Sequence, residues 1–369
     1  MYLEHISSPS DVKKLSLDEL KALCGEIRGA LVEKLSRHGG HCGPNFGFVE
    51  ATVALHYVFE SPKDKIVFDV SHQTYPHKML TGRAEAFLDP THYDDVSGYS
   101  NPHESEHDHF TVGHTSTSVS LACGLAKGRD LKGEGGNVIA VIGDGSLSGG
   151  EALEALDYAA ELGGSFIILV NDNDMSIAEN HGGIYGNLRL LRETGGRADC
   201  NLFRAMGLDY RFVADGNDIA SLIEAFKAVK DSTQPVVVHI VTQKGKGYAP
   251  AEQHKEAWHY CAPFHPETGE PLMDMSGVRS SWEAFWKNVR SAWSAWASFS
   301  CIWLISPSSS HSSFTVAPVS TLLNFFSPIP LAASQSRWTG TEILPATSQN
   351  KAMAAAAMTL MVRSTTRVI

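Results

Sequence analysis

Apolar residues recur at three- and four-residue intervals through residues 10–36, where Leu20, Leu23, Ile27, Leu31 and Leu35 form one stripe. That period predicts an amphipathic helix with a single buried face, and Ser16 followed by Asp18 and Glu19 supplies a capping signal near its start. A Gly-rich break at residues 38–44 separates it from a second helical pattern over 48–59. Residues 65–70 are a short apolar run with β-branched members, the signature of a buried strand. The polar stretch 82–112 reads as a long surface loop. Residues 115–130 return to helix, with Ser118, Ser120, Ala122, Gly124 and Ala126 permitting close packing. Strands are expected at 137–142, 165–170 and 235–242, and helices at 151–162 and 219–230.

Strands alternating with helices at this spacing predict an α/β fold, a parallel sheet with helices on both faces. Function in such sheets sits beyond the carboxyl ends of the strands. Residues 1–277 are expected to form this domain. From residue 278 the pattern changes: six of the seven tryptophans lie there, Ser is abundant, charged residues are few, and no sustained period appears. Residues 278–369 are therefore read as an atypical tail, an aberrant end such as an out-of-frame product gives, and not as a second domain.

Composition narrows the picture only slightly. A formal net charge of -11 argues against a nucleic-acid-binding surface. The first sixteen residues contain no apolar signal-peptide core, and the longest apolar stretches are too short to span a bilayer, so a cytoplasmic protein with no membrane partner is expected. Six cysteines, at 24, 42, 123, 200, 261 and 301, form no Cys-x-x-Cys pair. They are expected to be reduced, mostly buried thiols.

The chemistry concentrates at two strand ends. The strand at 137–142 runs into Gly143-Asp144-Gly145, and the strand at 165–170 into Asn171-Asp172-Asn173. One helix and a return strand fit between them, so adjacent parallel strands would bring the Asp144 carboxylate and the Asn173 amide side by side. Such hard oxygen donors suit Mg²⁺, whose shell is commonly completed by phosphate oxygens. The glycines admit a diphosphate close to the backbone, and a helix beginning near Ser148 would offer it free N–H groups. Gly-Asp-Gly alone is also a common turn; the pairing of the two strand ends is what gives it weight. The loop His103–His109 matches no zinc spacing and reads as solvated.

GDGSLSGGEALEAL and NDNDMSIAEN resemble the diphosphate-binding motif of thiamine-dependent enzymes, in the version used by 1-deoxy-D-xylulose-5-phosphate synthases. The segments 38–41, 69–78, 112–118 and 244–252, with Trp258 and His259 beyond them, match that family in order and spacing, so that the resemblance covers about residues 10–275. It implies Mg²⁺ held by Asp144, Asn173 and the Met175 carbonyl. It further implies thiamine diphosphate contacted by His72, Gly113, His114, Thr115, Gly145, Ser146, Asn173, Met175 and Tyr248. His41, His72 and His259 would serve the reacting centre, because imidazole donates to phosphate oxygens and moves protons near neutral pH. His41 precedes a local variant, Cys42-Gly43-Pro44-Asn45.

The implied reaction condenses pyruvate with D-glyceraldehyde 3-phosphate, with loss of CO₂, in a homodimer. Enzymes of this kind activate the cofactor with a glutamate from a pyrimidine-binding domain. Glu283 and Glu342 are the acidic residues of 278–369, and neither lies in a recognisable motif. Three expectations follow: a synthase half that needs another chain for that domain, a truncated non-catalytic thiamine-diphosphate binder, or the amino-terminal subunit of a split transketolase.

Overall fold

The computed structural model describes residues 1–272, so the tail expected at 278–369 lies outside the described residues. The described residues form seven strands: β1 (Gly40–His41), β2 (Lys65–Phe68), β3 (Val138–Gly143), β4 (Phe166–Asp172), β5 (Asp209–Val213), β6 (Val236–Val241) and β7 (Tyr260–Cys261). Five make one sheet in the order β2-β3-β4-β6-β5, with every neighbouring pair parallel. β1 and β7 form a separate antiparallel pair.

Side chains on the strands alternate between two hydrophobic cores. Ile66, Phe68, Ile139, Val141, Ile167 and Leu169 face one core, filled from the helices Leu17–His38, Val49–Val58 and Ile219–Val229. Val67, Val138, Ala140, Ile142, Ile168 and Val170 face the other, against Ser118–Lys132, Gly150–Ala159 and Gly183–Glu193. A sheet buried on both faces must be apolar at nearly every strand position, and period two then assigns alternate residues to opposite cores. The expected α/β architecture is therefore the observed one.

A short helix, Pro9–Val12, precedes the Leu17–His38 helix, which begins with the expected cap: the Ser16 backbone N–H donates to the Glu19 carboxylate at 2.7 Å. Its Arg28 forms a paired contact with Glu50 (2.6 and 2.7 Å) and donates from Nε to the Lys246 carbonyl at 2.8 Å. This ties the helix to the turn after β6, which carries Lys244.

Three expectations need correction. Residues 82–112 are not a free surface loop: short helices occupy Glu85–Leu88 and Pro90–His92, and Phe87 and Tyr93 are buried. Nor is the 103–109 segment solvated throughout. Asp108 is 3 % exposed, with His77 Nε2 at 3.0 Å and Arg83 donating to both its oxygens at 2.9 and 3.0 Å, while Lys78 pairs with Glu104. Charge in the sequence suggested solvent, but matched charges inside a fold do not need it.

The cysteines are the third correction. Cys42 and Cys261 form a disulfide across 219 residues of sequence, whereas Cys24, Cys123 and Cys200 are free thiols. The bond joins the residue after β1 to the end of β7.

Candidate active site

Strand register sets the first part of the site. Gly143 is the partner of Asn171, so β3 and β4 end side by side, with Asp144 just after β3 and Asp172 the last residue of β4. A short 3₁₀ turn, Asp144–Ser146, follows β3, and the next helix, Gly150–Ala159, starts one residue before the expected 151–162 and two after Ser148. Asp144 is 2 % exposed; one of its oxygens accepts the Met175 N–H at 3.1 Å and the Asn180 amide at 2.9 Å. Burial first, and the Asp172 carboxylate second, raise its pKa well above the usual carboxylate range. Asn173 Oδ1 is buried without a hydrogen-bond partner.

A buried carboxylate raised by a second carboxylate, beside an orphaned amide oxygen, is a donor set that suits a hard divalent cation. The surroundings suit a diphosphate. A Cβ on Gly145 would lie 2.7 Å from the Ser176 Cβ, and one on Gly149 would lie 2.0 Å from the Ser116 Oγ, so these turns close only with glycine. The Ser116 hydroxyl donates to the Ser146 carbonyl at 2.7 Å, drawing the 112–118 segment to the same edge. Asp69, at the end of β2, fixes that segment through the N–H groups of Ser116 and Ser118, both at 2.9 Å. Gly113, His114 and Thr115 are consequently presented at the surface of this edge, and His114 Nδ1 lies 2.6 Å from the Thr115 carbonyl.

A cluster of three imidazoles forms the second part. The ring centres of His41 and His72 are 5.2 Å apart, of His72 and His259 5.2 Å, and of His41 and His259 5.8 Å. Three separate segments meet here, and the variant after His41 explains how. The Asn45 amide donates to the His41 carbonyl at 2.7 Å and to the His72 carbonyl at 2.8 Å, while its oxygen accepts the Tyr75 N–H at 2.9 Å. Pairing of β1 with β7, and the Cys42–Cys261 bond, deliver His259. His72 follows two non-glycine residues in left-handed backbone, Val70 at φ 56° and Ser71 at φ 65°. Such strain, rare for a β-branched residue, marks a position held by its surroundings.

The Nδ1 atoms of all three imidazoles are buried without partners. Burial pushes His41 and His259 down to about 4 and His72 well below its ordinary value. A histidine with a depressed folded pKa favours the native state above its unfolded value of about 6.5. That contribution is lost as pH falls from there toward about 4. We expect the three imidazole resonances in NMR spectra to hold steady from pH 8 to about 5.5, with the denaturant midpoint falling below about pH 6.5. Midpoints near the ordinary histidine value would contradict this.

Lys244, 2 % exposed, links the two parts. Its ammonium donates to the Ser176 carbonyl at 2.5 Å, its charge acts on both His72 and His259, and burial lowers it to about 8 against the opposing pull of Asp144. Lys244 and Asn180 lie inside the segments 244–252 and NDNDMSIAEN but were given no role from the sequence, although a lysine after an apolar strand and before Gly245 was a usable signal. Tyr248 stands apart. Its ring packs against Phe46, Trp258 and Phe264, and its hydroxyl donates to the Pro266 carbonyl at 3.1 Å.

Comparison with known proteins bears on the fold and the family of the chain. Transketolases from Campylobacter jejuni (TM-score 0.53, 19% identity, 74% of this chain and 48% of that one) and Leishmania mexicana (TM-score 0.50, 18% identity, 76% and 48%) share the fold. A 1-deoxy-D-xylulose-5-phosphate synthase from Listeria monocytogenes is 46% identical over 271 residues, covering 72% of this chain and 44% of its own length. One from Carboxydothermus hydrogenoformans is 42% identical over 306 residues, covering 73% and 49%. The chain thus spans about half the length of these relatives. With the model of the 1-deoxy-D-xylulose-5-phosphate synthase family matching residues 3–196 and 193–242, this chain belongs to that family.

Proposed function

We propose that residues 1–272 bind thiamine diphosphate through Mg²⁺ and form the diphosphate-binding half of a transferase that condenses pyruvate with D-glyceraldehyde 3-phosphate, releasing CO₂. The observation that carries this reading is the buried Asp144 carboxylate just after β3, hydrogen-bonded to the Met175 N–H two residues beyond the unpartnered Asn173 oxygen. In this reading Asp144, Asn173 and the Met175 carbonyl hold Mg²⁺. Gly145 and Ser146 accommodate the diphosphate, joined by Gly113, His114 and Thr115 from the neighbouring segment. The bound cofactor supplies carbanion chemistry that no side chain offers.

The protein's own part is to hold charge and protons in place. Imidazoles kept neutral by burial can each accept or donate a proton without first losing one to solvent, which suits His41, His72 and His259 to proton transfer beside the reacting atoms. The Lys244 ammonium offsets negative charge where the carboxylate of pyruvate and the diphosphate would accumulate. Tyr248 buttresses the 244–252 segment through its aromatic packing. The reading includes a homodimer and a pyrimidine-binding domain supplying the activating glutamate. No helix among the described residues is long and apolar enough to cross a membrane.

Calorimetry with the chain, Mg²⁺ and thiamine diphosphate tests the proposal, alongside an assay with pyruvate and D-glyceraldehyde 3-phosphate. Mg²⁺-dependent binding is expected, with turnover appearing when a family pyrimidine-binding domain is added. Absence of Mg²⁺-dependent binding by the folded chain would overturn it.

A further inference from the structure

Asp172 separates Asn171 from Asn173 and is 0 % exposed, yet the site as described gives it no task beyond its charge. Its carboxylate is surrounded by donors. Arg192 Nη1 lies 2.8 Å from one oxygen and 2.7 Å from the other, His239 Nε2 donates at 2.8 Å, and the Asp174 N–H at 3.1 Å. His239 is itself fully buried on β6 and meets the Tyr210 hydroxyl on β5 through Nδ1 at 2.8 Å. Since a carboxylate only accepts, the His239 Nε2 must carry a proton.

Arg192, on the Gly183–Glu193 helix, reaches past Asp172 to Asp174 at 2.8 Å. The residues on both sides of Asn173 are thus gripped by one guanidinium, while the backbone oxygen of Asp172 accepts the Thr242 N–H at 2.9 Å. Asp174 adopts left-handed backbone at φ 60°, turning the chain so that the Met175 N–H reaches Asp144. Between these fixed points the Asn173 amide oxygen is left without a partner.

We infer that Asp172, Arg192, His239 and Tyr210 form a positioning network that sets the placement of Asn173 and Met175 against Asp144. The inference rests on the Mg²⁺ reading above and assigns four residues from four elements to geometry, none touching the cation. Such outer partners orient ligands and commonly contribute 10–100-fold to metal affinity. Mg²⁺ demands near-octahedral geometry, whereas Ca²⁺ accepts irregular shells. A loosened ligand set therefore penalises Mg²⁺ more than Ca²⁺, while general weakening of the fold penalises both alike.

The test titrates thiamine diphosphate into the chain with saturating Mg²⁺ or Ca²⁺ by calorimetry, for wild type, His239→Leu, His239→Gln and Arg192→Met. Gln preserves a donor near the Nε2 position. We expect His239→Leu and Arg192→Met to lower the Mg²⁺/Ca²⁺ affinity ratio about tenfold, with His239→Gln restoring most of it. An unchanged ratio in either folded variant overturns the inference. Should His239→Leu not fold, Arg192→Met, which alters a partly exposed helix position, decides alone. Failure of wild type to bind with either metal would instead refute the underlying site, a result distinguishable from loss of selectivity.

Discussion

Asp144→Ala is expected to abolish Mg²⁺-dependent binding of thiamine diphosphate, a loss greater than the ~100-fold that outer-shell substitutions reach. The variant removes the one carboxylate assigned to the cation, and the remaining donors, the Asn173 amide and the Met175 carbonyl, are neutral. Asp144→Asn sharpens the test. It retains an oxygen for the Met175 N–H and the Asn180 amide, 3.1 and 2.9 Å away in the native protein, but lacks the charge. In the metal-free protein that charge is a liability, because burial and Asp172 both oppose ionisation. With the folded pKa raised, the unfavourable contribution is present at neutral pH and fades as pH falls through the raised value. Asp144→Asn should therefore melt higher than wild type without metal and fail to gain stability when Mg²⁺ and cofactor are added. Unchanged affinity in a calorimetric titration of either variant would remove the metal assignment.

Reduction of Cys42–Cys261 should produce the largest change in stability. The bond closes a loop of 219 residues. Chain-entropy reasoning gives about 5 kcal/mol for a loop of that size, an upper bound because unfolded chains retain structure. For a domain of this length, even half of that lowers the melting temperature by about 5–10 °C. A thiol reductant should shift the melting curve of wild type and leave a Cys42→Ser/Cys261→Ser variant unmoved. Identical wild-type curves with and without reductant, or an intact mass two hydrogens heavier before reduction, would show that the bond does not form.

The parts of this protein that sequence made legible share a property: their signal is local. Leu20 to Leu35 repeat within one helix, whose end at His38 lies two residues past the expected 10–36 while its start at Leu17 lies seven residues inside it. The strand at 137–142, recognisable from its own apolar run, is observed at Val138–Gly143. Gly143-Asp144-Gly145 and the Asn171–Asn173 segment were equally local, which is why the two strand ends could be expected to lie side by side. β5 escaped notice because only Tyr210 and Val213 of Asp209–Val213 are buried, and its exposed Asp209 and Arg211 break the apolar run. The Gly183–Glu193 helix begins and is interrupted by glycines, Gly183 and Gly186, which mask its apolar stripe of Tyr185, Leu188 and Leu191.

Other features depended on partners far away in the chain. Glu104 and Asp108 look like solvent-seeking residues until Lys78, Arg83 and His77 are brought against them. Cys42 and Cys261 carry no local spacing that could announce their pairing. The histidines were marked by resemblance to a family, but that Asn45 ties two of their segments together is a fact of three dimensions.

The alternation of β4 between two cores has a consequence for how this family can vary. Ile167 and Leu169 serve one core, and Ile168 and Val170 the other. Deleting a single residue from this strand would hand each side chain to the opposite core and bring Asn173 to the place of Asp172. Extra residues in the turn before Phe166 leave that count untouched. A change of length before Phe166 is therefore expected to be tolerated where a one-residue change between Phe166 and Asn173 is not, so that the count from strand to site matters as much as the residues themselves.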